Sequence, residues 1–484
     1  PKILAKGAET DPKKIQEDPT EQAEPASEYY TLAHAPILFD PPSLPFEKED
    51  AFQFLGHIQV GTPVKTLYPS RMAVLHTMLP GQEQLSAPSI LEGIFSKTIN
   101  GVLYRIPVLP PAEASKTLPW LRQHLEECGH KIQLPGKPLS LSNGTIKNVV
   151  GLCFPEEIEK GVWKNGWMFL VEGSMFPIDE NQNVQKKMPA LPRNYYAPAS
   201  TTHQHQFTVR APAIKPLSEK KVAIAGTGAL GGFVALELAR NGVQELYLLD
   251  NDIVEAPTTI RWPLGLAAAG MYKTDALAST IAMHYPGTKV QRVNWTLGSY
   301  RMGPSDKSPS TTSSEVDILN DFLKEANLLI DATAETGIHN YLSLEAKERK
   351  LPYLALYATP GAYGGVIMRS IPGKGCWMCM KYMQEENPEE MVPLLDKSNG
   401  TVQPPGCGDF TFTGASFDLQ SISLAAVRLA VSTLCGNIEG GYQEVSWDIG
   451  ILNLFDKNGQ PVPPQWKVFP LPVHPECPYC NDHA

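Results

Sequence analysis

The sequence predicts an α/β protein: a doubly wound, mostly parallel sheet in the C-terminal half, preceded by a separate mixed α/β region. Three observations lead to this. From Lys221 onward, short apolar strands alternate with helical stretches. The first of those strands runs into a glycine turn, "GTGALGG" (226–232). The residues before it show neither the alternation nor a second glycine turn.

Strands are expected at 222–226, 245–250, 290–295, 326–333 and 353–358, each apolar and bounded by turn residues. Helices are expected at 229–241, 273–284 and 338–350, where apolar residues recur at helical spacing. Strand–helix alternation of this kind builds a Rossmann-like parallel sheet with helices on both faces. "GGVIMRS" (364–370) is expected to add an antiparallel strand, and the apolar stretch 417–434 a long helix packed on the sheet. The polar stretch 298–315 is expected to be an inserted loop.

The N-terminal half is less patterned. Residues 1–50, rich in Pro, Glu and Lys, are expected to form an extended or mobile arm. Residues 51–210 are expected to form a domain of their own. A helix is expected within 117–132, with Leu118, Leu121 and Leu125 on one face, and a buried strand at 166–173. The stretch 195–220 reads as a linker, and 217–484 as the second domain. No internal repeat and no chemical motif is found before Lys221.

Length and composition bound the function. A chain of 484 residues suggests two or three domains, and 42% hydrophobic residues suffice for sizeable cores. A formal net charge of -10, with no long Lys/Arg run, disfavours nucleic acid as a partner. No uninterrupted apolar run reaches membrane-spanning length, so no membrane partner is expected. No secretory signal pattern is seen, and four of the eight cysteines fall in two C-x-x-C pairs. Metal or thiol chemistry in a reducing, cytoplasmic compartment is therefore expected, rather than a disulfide framework.

Gly226, Gly228 and Gly231 spell G-x-G-x-x-G between a strand and a helix. Glycines let the backbone turn tightly and approach phosphates without Cβ clashes, and the helix N-terminus offers unpaired N–H groups. Asp250 ends the next strand, where a carboxylate can accept from ribose hydroxyls. A nucleotide site is expected. An NAD-dependent oxidoreductase fits these residues as well as an ATP user does.

The stretch 248–278 separates the two. It carries Asp250 and Asp252 as D-x-D, then Arg261, then Lys273. In this order the chain resembles the adenylation domain of the ubiquitin-activating enzyme family, over roughly residues 217–484. That family includes the adenylyltransferases of thiamin and molybdopterin sulfur carriers. The resemblance implies that ATP, with Mg²⁺, adenylates the C-terminal carboxylate of a ubiquitin-like protein. It implies that Gly226, Gly228, Gly231, Asp250 and Asp252 hold the nucleotide, and that Arg261 and Lys273 contact the triphosphate. Such fixed cations answer the charge that builds on the phosphates. The sequence departs from the family at Thr258, where Asn is usual, and at Ala334, where an acid that binds Mg²⁺ is usual. Asp331 and Glu335 are the neighbouring carboxylates left for that role.

Cys376 and Cys379 form one C-x-x-C pair, Cys477 and Cys480 the other. Two such pairs suit a tetrahedral structural Zn²⁺ with no open position. Cys407, in "QPPGCGDF", lies in a Pro/Gly-rich segment before the long helix. The resemblance implies a nucleophilic cysteine in that region, which takes the activated protein as a thioester before a conjugating enzyme accepts it. It also implies a homodimer, and its proportions are similar to enzymes of bacterial ubiquitin-like pathways. Three other functions stay open here: a sulfur-carrier adenylyltransferase that forms no thioester, a non-catalytic scaffold binding nucleotide or the ubiquitin-like protein, and the oxidoreductase.

Overall fold

A computed structural model describes residues 37–42, 44, 46, 52–62, 72–80, 82–85, 95, 97–141, 144–159, 161–177, 184–201, 210–297, 315–396, 401–402 and 411–481. The chain divides into two compact units, residues 1–201 and 202–484.

Among the described residues, the first unit is a β-barrel with one helix. Its elements are β1 (Ile37–Phe39), β2 (Gln53–Thr62), β3 (Met72–Leu79), β4 (Gln82–Leu85), β5 (Lys97–Arg105), α1 (Ala114–Glu127), β6 (Leu139–Leu141), β7 (Gly144–Glu159), β8 (Val162–Met175) and β9 (Leu191–Thr201). The order β1-β9-β8-β7-β5-β2-β3 returns to β1 through a β1–β3 pairing, so seven strands close on themselves. β4 and β6 pair outside the ring, on β3 and β7. A barrel this small is filled by its own side chains. Phe39, Ile58, Leu103, Val149, Phe169 and Ala197 point into one core, while Val102, Tyr104, Val150, Leu170 and Tyr196, the alternate residues of the same strands, face outward. α1 covers that outer face with Leu118, Leu121 and Leu125. It is the crossover that lets β5 and β7 run parallel. The helix ends at Cys128 because Gly129 turns left-handed (φ +76), short of the expected Ile132.

Two expectations are corrected here. The arm expected over 1–50 contributes β1, whose Ile37 and Phe39 are buried because they complete the barrel core. The linker expected from Tyr195 begins inside β9, where Tyr196 donates to the Pro111 carbonyl at 2.6 Å and also pairs with the Thr117 hydroxyl. The expected mixed α/β region is thus a barrel with a helix; strands buried on both faces gave little period-2 signal.

The second unit is the doubly wound sheet. It comprises β10 (Lys221–Ala225), α2 (Gly231–Arg240), β11 (Glu245–Leu249), α3 (Lys273–His284), β12 (Lys289–Val293), α4 (Glu315–Leu323), β13 (Leu328–Asp331), α5 (Thr336–Glu348), β14 (Tyr353–Ala358), β15 (Gly364–Ser370), α6 (Trp377–Glu386), α7 (Pro388–Met391), β16 (Thr401–Val402), β17 (Thr411–Phe412), α8 (Ser416–Cys435), β18 (Ile449–Phe455) and β19 (Pro461–Phe469). Strand order is β12-β11-β10-β13-β14-β15-β18-β19. The strands from β12 to β14 are parallel, and those after β14 alternate. β18 and β19 were not expected from sequence. The inserted loop expected at 298–315 lies, up to residue 314, outside the described residues.

Period-2 alternation builds two cores. Ile224, Leu248, Ile330 and Leu356 face α2, α3 and α8, whereas Ala223, Leu329, Ala355 and Met368 face α4, α5 and α6. α8 is long and apolar enough to span a membrane by composition, yet it packs on α2, β14 and β15 with Leu419, Ile422, Ala426 and Leu429 buried.

One buried ion pair ties the late chain together. Arg369 on β15 donates to Asp448 from Nη2 at 2.9 Å and to the Trp447 carbonyl at 3.3 Å. Asp448 also accepts from Lys374 Nζ at 2.7 Å and from the Leu471 amide at 3.2 Å. Burial pushes the Asp448 carboxyl up, but these donors prevail and hold it below the usual carboxylate range. A lowered folded value stabilises the fold above the unfolded pKa near 3.9, and that contribution fades as pH falls further. Removing one partner leaves a buried charge, so Asp448→Ala is expected to destabilise the second unit by about 3–5 kcal/mol. Thermal melts of that variant and wild type check this. The difference should narrow as pH drops below about 4.

Candidate functional site

The sheet has its topological switch between β10 and β13, from which the chain runs outward on both sides. Ligands of such sheets bind outside the carboxyl ends of the strands at that crevice. Gly226 follows β10 there. Its φ of +81° suits only glycine well, and a Cβ would stand 2.7 Å from the Ala332 carbonyl oxygen just beyond β13. A Cβ on Gly231 would stand 1.9 Å from the Gly226 oxygen, so glycine is required where α2 begins. Gly228 has open space around it, facing the crevice. No side chain caps α2. Its N-terminal amides keep the partial positive charge of the helix end.

Two neighbours lock this turn. Asp250 accepts from the Thr227 amide (2.6 Å) and hydroxyl (2.9 Å) on Oδ2, and from the Asp252 amide (2.8 Å) on Oδ1. Trp262, buried beside Arg261, donates its indole N–H to the Thr227 carbonyl at 2.8 Å. Sequence reasoning missed Trp262; the available signal was a lone aromatic next to Arg261.

The crevice has two adjoining lobes that share Gly228, Lys273, Ala332 and Thr333. The first is lined by Ala229, Leu230, Thr258, Arg261, Trp262 and Ala334. The second, about 470 Å³, is lined by Asp250, Asp252, Trp295, Leu297, Glu335 and Ile338, among others. Arg261 is half-buried, and burial lowers its guanidinium from the usual value, though it stays charged. Lys273 opens α3, and its ammonium meets Asp252 at 2.6 Å. One end of the crevice is therefore cationic and amide-rich. The other offers an apolar floor of Trp295, Leu297 and Ile338 beside carboxylates. A phosphate chain fits the first and a nucleoside the second.

Of the expected nucleotide residues, Gly226, Gly228, Asp250, Asp252, Arg261 and Lys273 line these lobes, and Gly231 shapes the turn. Asp331 does not reach them. It is fully buried, accepting from Thr333 on one oxygen and from Tyr353 on the other, which also lies 2.9 Å from His339 Nδ1. Its carboxylate faces into the core, so it offers the crevice no oxygen for Mg²⁺ and instead supports the turn above it. Glu335 is exposed in the second lobe, at the N-cap position of α5, with no capping bond from its side chain. Both oxygens of Asp250 are taken by the turn, so Glu335 and Asp252 are the lining carboxylates that would hold Mg²⁺. Ala334 has φ +60, a left-handed conformation disfavoured for a residue with a Cβ and better tolerated by Asp or Asn. Cys407 lies outside the described residues. On either side of it, β16 and β17 pair through Thr401 with Phe412 and Val402 with Thr411.

The four paired cysteines converge. The sulfurs of Cys376, Cys379, Cys477 and Cys480 all lie within 4.8 Å of one another. Cys376 Sγ is 3.6 Å from Cys477 Sγ and 3.9 Å from Cys379 Sγ. Disulfide sulfurs would be far closer, at about 2.05 Å. Ligands of a tetrahedral zinc, with bonds of about 2.3 Å, stand roughly 3.8 Å apart. The hydrogen bond from the Cys376 thiol holds Cys379 down and Cys376 up. The His474 amide donates to Cys379 Sγ at 3.3 Å, an outer contact typical of ligated thiolates. The residues fit Zn²⁺, which would pin the chain's last turns to the start of α6.

Two outcomes are expected. Metal analysis should find about one zinc per chain, lost together with melting temperature in Cys477→Ser. Gly226→Ala should lower stability by about 1–3 kcal/mol, from the clash and the positive φ, and abolish nucleotide binding by titration.

Comparisons with known proteins follow the same residues. The chain matches the ThiF family over residues 203–439. It is 38% identical over 274 residues to the uncharacterized protein y4qC of Sinorhizobium fredii, covering 55% of this chain and 45% of that one. It is 32% identical over 334 residues to the uncharacterized protein y4oA of the same organism, covering 68% and 53%. It is 24% identical over 282 residues to the ATP-dependent ubiquitin transferase-like protein Cap2 of Escherichia coli, covering 55% and 41%. The chain thus spans about half the length of these relatives. Residues 203–439, the stretch that matches the ThiF family, hold the crevice, its glycine turn and its cations.

Proposed function

We propose that the second unit uses Mg-ATP to adenylate the C-terminal carboxylate of a ubiquitin-like protein. A carboxylate oxygen attacks the α-phosphorus, the bond to the β-phosphate oxygen breaks, and an acyl adenylate and pyrophosphate result. The observation that carries this reading is that Arg261 and Lys273, twelve residues apart in sequence, meet the glycine turn in one crevice. A hydride-transfer site has no use for two fixed cations beside the phosphates, whereas displacement of pyrophosphate does. Arg261, partly stripped of water, and Lys273, oriented by Asp252, offset charge on the departing phosphates. The α2 N-terminus supplies amides to the same group. Mg²⁺ held by Glu335 and Asp252 would neutralise phosphate charge in the reactant.

In the fuller form of the proposal, the Cys407 thiolate attacks the acyl carbon and displaces AMP. The resulting thioester passes to a conjugating enzyme. A relative described as an ATP-dependent ubiquitin transferase-like protein supports a transfer step of this kind. Ala334, where an acid is usual, favours a second reading: a scaffold that binds nucleotide without turnover.

ATP–pyrophosphate exchange with a candidate ubiquitin-like protein separates them. Exchange is expected in wild type, and Arg261→Ala should reduce its kcat/KM by about 10²–10³-fold. No exchange with intact ATP binding would support the scaffold. An adduct sensitive to reductant should form in wild type and disappear in Cys407→Ala; adenylation without any adduct would indicate a carrier-type enzyme.

A further inference from the structure

A continuous buried path joins the four-cysteine centre to the crevice. Trp377 follows Cys376 and opens α6, with its amide bonded to Ser343 Oγ of α5 at 3.1 Å. Its ring stacks on His339, centroids 4.4 Å apart at 29°. His339 Nδ1 meets Asp331 Oδ2 at 2.9 Å. Asp331 Oδ1 accepts from the Thr333 amide at 3.1 Å and hydroxyl at 2.7 Å. Thr333, Ala334 and Glu335 are the turn that lines both lobes. Trp377, His339, Asp331 and Tyr353 are each 2% exposed or less.

Three features set this path apart from ordinary packing. A carboxylate with no exposure is retained, and its partners are Thr333, Tyr353 and His339 rather than a lysine or arginine. Such a group is expensive to bury and persists where it fixes a conformation. Burial and the adjacent Asp331 push the Tyr353 phenol well up, so it stays a donor to that carboxylate. The residue held at the end of the path, Ala334, has a left-handed backbone that persists only where its surroundings over-determine it.

We propose that His339 is a positioning residue: through Trp377 on one side and Asp331 on the other, it makes the Thr333–Glu335 turn depend on an intact four-cysteine centre. The turn is the two-state element. With the cysteines ligated, α6 holds Trp377 on His339, Asp331 stays aimed at Thr333, and Glu335 is presented to the crevice. With the cysteines released, the indole loses its support and the turn relaxes toward an unstrained backbone. This rests on the nucleotide reading of the crevice for its purpose, but its test does not use ATP.

Hydrogen exchange of the full-length protein, with and without a zinc chelator, reads the coupling directly. Chelation should speed exchange in peptides covering 331–336 by about fivefold or more, the lower end of measured couplings, while β10 and α2 stay unchanged. In Trp377→Leu, which leaves all four sulfurs in place, the turn should exchange fast before chelation and respond little to it. If that variant does not fold, His339→Gln serves, with the same result expected. A turn that ignores the chelator in wild type overturns the proposal. So does a response of equal size in the variants, or a uniform rise across the whole unit. Failure of ATP–pyrophosphate exchange would leave these readings intact, so the two proposals fail separately.

Discussion

The second unit depends on a single close approach: the backbone of Gly226, leaving β10, against Ala332 and Thr333, leaving β13. No side chain fits between them. The strands can be adjacent and parallel, with their ends open to a ligand, only because residue 226 lacks a Cβ and takes a positive φ. What surrounds this contact reinforces it. Asp250 and Trp262 grip Thr227 from one side, and Asp331 grips Thr333 from the other. The crevice is the space those grips leave.

The second constraint lies at the far edge of the sheet. Strands β15, β18 and β19 extend a parallel core with antiparallel pairs, and they need the chain's last residues brought back. Arg369 and Asp448 do this with charge, and the four cysteines with sulfur. Asp448 reaches Leu471, a few residues before Cys477, so the two devices act on the same segment. Ligation there would hold α6, and with it Trp377, against α5.

Legibility in the sequence followed periodicity and covalent punctuation. β14, β15 and α3 match their expected bounds, because apolar runs and flanking turn residues mark them without ambiguity. The glycine turn, Arg261, Lys273 and the four cysteines were visible because their chemistry demands particular residue types. The barrel was not visible: its strands carry core on both faces where α1 covers them, so Val102, Leu103 and Tyr104 read as an apolar run rather than as alternation. β18 and β19 escaped notice too, since Pro461–Phe469 holds several prolines and suits only an edge. Asp331 was misassigned for a different reason. A carboxylate at a strand end near a phosphate turn has the composition of a ligand, and only burial reveals that it faces inward.

The proposed chemistry requires the crevice to accept ATP as its nucleotide. Equilibrium titration of the full-length protein with Mg-ATP and, separately, with NAD tests that most directly. One ATP per chain is expected, displaced by AMP or pyrophosphate, and no NAD binding. Saturable NAD binding with none for ATP would contradict that chemistry.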